Sequence, residues 1–82
     1  MKNHSGNELK LQEINALEDQ ITELRTEQAD IQKQIKELLF TEDIKAGITF
    51  ETDIFTLQQS KLRIDTEIQF AQARIGRLKI SL

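Results

Sequence analysis

Residues 14–38 read INALEDQITELRTEQADIQKQIKEL. Ile14, Leu17, Ile21 and Leu24 follow one another at alternating spacings of three and four, Gln28 takes the next place, and Ile31, Ile35 and Leu38 resume the series. That alternation puts a narrow apolar seam along one side of a helix, and such a seam is stable only against a second helix. Residues 54–82 supply one. Ile54, Leu57, Ile64, Ile68, Ala71, Ile75, Leu78 and Leu82 repeat the same spacing, with Lys61 as the polar interruption.

The two seams fit each other in the antiparallel sense, where facing positions must have residue numbers with a constant sum. Ile14 falls opposite Leu78, Leu17 opposite Ile75, Ile21 opposite Ala71 and Leu24 opposite Ile68. The series continues with Gln28 and Ile64, Ile31 and Lys61, Ile35 and Leu57, and Leu38 and Ile54, all centred on Ala46. The expected fold is therefore all-α: an antiparallel coiled-coil helical hairpin with helix 1 over about 7–39, a turn over about 40–50 and helix 2 over about 51–80. Flanking charges give mixed support, since Arg25 faces Asp65 while Glu27 faces Glu67, and a register shifted by one heptad stays open. Gln28 and Lys61 occupy neighbouring layers, where they either form a polar notch that fixes register or leave the Lys61 stem to reach outward to water.

Local signals mark the ends. Ser5 followed by Glu8 has the spacing of a capping box for helix 1. Thr41 ahead of Glu42 and Asp43 looks like a further cap, Gly47 suits a left-handed position, and Thr49 or Thr52 is expected to cap helix 2.

Composition agrees with long helices. The chain of 82 residues has no Pro, Trp or Tyr, 30% charged residues and a net charge of −3, and the regular recurrence of its apolar residues argues against disorder. Only 38% of its residues are hydrophobic and it has no Cys, so a small core goes without disulfide staples and oligomerisation is the supplement left. No stretch approaches the roughly 20 apolar residues of a membrane span, and the start lacks a signal peptide's apolar segment, so a cytoplasmic protein with no membrane partner is expected.

Helix 2 carries apolar residues that its seam does not use. Phe55, Leu62, Ala73 and Ile80 share a sector nearly opposite the seam, with Phe70 to one side, whereas the outer positions of helix 1 are occupied by residues such as Glu23, Asp30, Lys33 and Glu37. This second stripe predicts self-association, most simply as a homodimeric four-helix bundle. Phe40, Ile44, Ile48 and Phe50 lie in the expected turn, where the seam does not demand them. They either plug the end of the bundle or contact a partner, with Glu42, Asp43, Glu51 and Asp53 steering the tip toward a basic surface.

Chemistry is hard to place on this chain. His4 is its single imidazole, and no HExxH, phosphate-binding Gly loop or nucleophile with a base occurs, so no catalytic, cofactor-binding or metal-binding residue is assigned. The hairpin outline resembles that of small plasmid-encoded RNA-binding hairpin dimers, with no motif in common. A pI near 5.1 and a basic patch confined to Arg74, Arg77 and Lys79 speak against nucleic acid, and cations near a helix C-terminus also suit its dipole. The function expected is a non-enzymatic protein-protein interaction module, an adaptor, assembly factor or inhibitor that docks on a larger protein. The alternatives are a self-assembling scaffold coiled coil and an RNA- or DNA-binding hairpin dimer.

Overall fold

With no proline to interrupt either seam, each runs as one continuous helix. The computed structural model describes residues 4–42 and 46–82, in which α1 covers His4–Thr41 and α2 covers Glu51–Ile80. The helices pack antiparallel as a hairpin whose Cα extents are 72 × 14 × 12 Å. Its radius of gyration, 19.3 Å, compares with about 12 Å for a compact domain of this length.

Cross-helix bonds fix the register. Near the open end the Lys10 ammonium donates to the Ser81 carbonyl at 3.0 Å, and Arg74 pairs with Glu13. At mid-height Leu24, Ile64 and Ile68 form the buried centre, with Ile21 and Ile31 packed against it. A shift by one heptad would move each residue about 10 Å along the axis and part Lys10 from Ser81 and Glu13 from Arg74. The hairpin therefore has the register centred near Ala46. Arg25 and Asp65 form no ion pair among the described residues, and the Asp65 carboxylate accepts from the Gln28 amide instead.

Gln28 and Lys61 do create a polar interruption, though not by bonding side chain to side chain. The Gln28 amide donates to the Lys61 carbonyl and to Asp65 Oδ1, each at 3.4 Å, while the Lys61 ammonium crosses to Gln32 Oε1 at 2.6 Å. Both polar seam residues thus find partners at the edge of the core, which limits the cost of leaving water.

The helix ends differ from what local signals suggest. Among the described residues helix 1 starts at His4, so Ser5 lies within it and is not the residue that precedes it. Thr41 does not start a new helical turn. It closes α1, its hydroxyl donating back to the Glu37 and Leu38 carbonyls at 3.1 Å. Gly47 has φ +76°, the left-handed conformation expected of it. The residue capping α2 is Phe50, in place of Thr49 or Thr52, and its own side chain makes no capping bond. Glu42 reaches across the turn so that its Oε2 accepts the Phe50 N–H at 3.0 Å. A carboxylate placed there also suits the positive end of the α2 dipole, as do Glu51 and Asp53 in its first turn; Arg77 and Lys79 in the last turn complement the other end.

Candidate protein-interaction site

The hairpin sorts its apolar residues into an inner and an outer set. Ile14, Leu24, Ile35, Ile64, Ile68, Ala71 and Ile75 are buried, Ile64 most deeply at 2% exposure. Leu17, Ile21, Ile31, Leu38, Ile54, Leu57 and Leu78 are half-buried along the same contact. A pair of helices covers only one side of each member, so this partial burial follows from the architecture.

The outer set faces water. Phe55, Leu62, Phe70 and Ile80 are exposed large hydrophobic residues on α2, Ile80 reaching 88%, and Ala73 is exposed between them. Phe40 is a helical residue in the last turn of α1, and at 92% exposure it does not plug the end of the hairpin. Ile48 is exposed, Phe50 is half-buried at the start of α2, and Ile44 and Asp43 lie outside the described residues.

Near the turn the surface has two hollows. One, of about 490 Å³, is lined by Leu39, Glu42, Thr49, Glu51, Ile54, Phe55 and Gln58. The other, about 340 Å³, lies against Gln34, Leu38, Asp53, Thr56 and Leu57. The first joins the turn to the α2 stripe, because Phe55 belongs to both. Glu42 and Glu51 set its polar rim.

Leu39 in this hollow was not distinguished by the seam spacing, nor were Leu9 and Leu11, which are exposed near the start of α1. The signal for Leu39 is the run Leu38-Leu39-Phe40: a helix that buries one face cannot hide three consecutive large apolar side chains. Helix 1 is thus apolar outside at both ends, and its middle exposes no large apolar side chain.

Among the described residues no polar or charged side chain is buried, and no group of three His, Cys, Asp or Glu side chains could hold a metal ion. No described helix is long and apolar enough to cross a membrane. Of the basic residues near the end of α2, Arg74 is engaged by Glu13. Comparison of the chain with family models, with curated proteins and with solved structures finds no match.

Proposed function

We propose that this chain is a cytoplasmic, non-enzymatic protein-interaction module, a coiled-coil hairpin that associates with itself and docks its turn end on a larger protein. The observation that supports this reading is Phe40, a large aromatic side chain standing 92% exposed in the last turn of α1, next in the chain to Leu39 of the hollow. Burying such a ring is worth about 1.5–3 kcal/mol, and aromatic anchors of this kind carry a large share of the energy at protein interfaces. Neither the inner seam nor helix propensity asks for a phenylalanine there. Glu42 and Glu51 at the rim favour a partner surface that is basic around an apolar pocket, with attraction strongest at low salt.

The test is capture of a partner from native lysate by wild type and by a Phe40→Ser, Ile48→Ser variant, with helix content checked by circular dichroism. A specific protein should be lost from the variant with its helices intact, at a cost of about 2 kcal/mol or roughly 30-fold in affinity. Association with that protein should slow as salt rises. Unchanged capture overturns the turn end as the contact, and nuclease-sensitive capture transfers the reading to nucleic acid.

A further inference from the structure

The outer face of α2 has a symmetry that the hairpin itself does not use. Starting from Phe55, steps of four and three residues in alternation reach Gln59, Leu62 and Thr66, then Gln69, Ala73, Gly76 and Ile80. This is a second seam on the side away from α1, and apart from the half-buried Gly76 all of it is exposed. No charged residue stands on it, although 30% of the chain is charged. Its order of steps reads the same from either end, with the midpoint between Glu67 and Ile68. A face with that property matches itself when turned through a two-fold axis.

We propose that two copies of the chain pair antiparallel through this face. The inference rests on the reading of the hairpin as self-associating and adds the face, orientation and register. Phe55 lies level with Ile80 of the second copy, Leu62 with Ala73, Gln59 with Gly76, and Thr66 with Gln69. Two of these layers set a long side chain against a small one, which keeps the packing even. A parallel pairing would stack Gly76 on Gly76 and Phe55 on Phe55, leaving a void at one layer and overfilling another.

The flanks agree with the antiparallel choice. Arg63 shares a flank with Phe70 of the second copy, about 3 Å off level, within reach of placing a cation over an aromatic face. Asp65 meets Gln72, Gln58 meets Lys79, and Thr56 meets Arg77, so no like charges are opposed. The centre is also prepared for burial: the Thr66 hydroxyl already donates to the Leu62 carbonyl at 3.1 Å and needs no water.

Gly76 is an independent indication. Glycine inside a helix costs about 1 kcal/mol relative to alanine. A Cβ at Gly76 would meet nothing within 4 Å in the hairpin, so its internal packing does not call for the residue. In the paired arrangement the space above Gly76 receives Gln59 of the second copy.

The surface area is sufficient. The hairpin exposes 6344 Å², against about 5,000 Å² for a compact monomer of its mass. The surplus exceeds the roughly 800 Å² that each partner gives to a standard interface. Because this face points away from α1, the dimer is a flat row of four helices with the α2 pair in the middle, not a square bundle, and its two turns lie at opposite ends.

Single Leu62→Cys and Ala73→Cys variants, made in a chain that has no cysteine of its own, test this directly. Mixed and oxidised, they should give a disulfide-linked heterodimer. Neither alone should link to itself, because equal positions on the two copies would be about 16 Å apart along the axis. Self-linking of Leu62→Cys means a parallel pair and overturns the proposal. Wild type that sediments at equilibrium as a monomer at tens of micromolar also overturns it, and if such a monomer still captures a partner through Phe40 the proposed docking function stands. An oligomer that lacks the mixed link keeps self-association and overturns this face and register. The mixed link without Phe40-dependent capture supports the dimer and removes the docking.

Discussion

The outer faces of the two helices come from the same hairpin and carry the same backbone geometry, yet they have different chemistry. On α1 the positions that match the second seam of α2 include Asp19, Lys33 and Lys36, all exposed and charged; the eight seam positions of α2 from Phe55 to Ile80 carry no charge. Both faces even share a detail, since Thr22 and Thr26 on α1 return their hydroxyls to the carbonyls four residues back just as Thr66 does on α2. The inner seam accounts for neither pattern. A helix needs only one apolar side to hold its hairpin partner, so the second uncharged side is what the proposed pairing of two hairpins rests on.

The largest effect expected is loss of the common support on which the comparison depends. Ile64→Ala, at the most buried site, should cost about 2–5 kcal/mol in denaturant unfolding and lower the stability of both helices together. If the helices unfolded in separate transitions, the hairpin would not be one cooperative unit.

A matched pair of substitutions addresses the difference itself. Thr26→Glu and Thr66→Glu remove the same kind of back-bonded threonine from exposed helix positions. The α1 change should stay within about 0.5 kcal/mol of wild type, whereas the α2 change should dissociate the proposed dimer and lower apparent stability by more than about 1 kcal/mol. Equal behaviour in sedimentation and melting would mean that the two faces are equivalent.

The smallest effect belongs to the cross-helix ion pair. Both Glu13 and Arg74 have side chains open to water, so Glu13→Gln should cost at most about 1 kcal/mol, and the loss should shrink in high salt. A larger, salt-independent loss would show that α1 contributes more than its inner seam to holding α2.

The pairing of the helices was legible because it rests on periodicity, which each seam states repeatedly and the other seam checks. The turn was less legible. Thr41, Thr49 and Thr52 have the right chemistry for capping, but the N–H at the start of α2 is satisfied by Glu42, and which side chain arrives there depends on the path of the chain between the helices. Phe40 was counted with the turn because the seam ends at Leu38; the helix continues to Thr41, whose hydroxyl bonds back into it. The outer stripe of α2 is marked in the sequence by its apolar residues alone. Its continuity becomes apparent only when Gln59, Thr66, Gln69 and Gly76 are counted for the charge they lack.

The elongated form has a hydrodynamic consequence. A radius of gyration of 19.3 Å is what a compact protein of about 300 residues would have, so the single 82-residue hairpin experiences the friction of a much heavier particle. On a size-exclusion column calibrated with globular standards, a lone hairpin would elute too early for its mass, toward the position of a compact dimer. Doubling the mass by side-by-side pairing would thicken the rod while adding little to its length, moving the elution volume far less than the mass. Light scattering or equilibrium sedimentation, which weigh particles without reference to their shape, separate the one-chain and two-chain species cleanly.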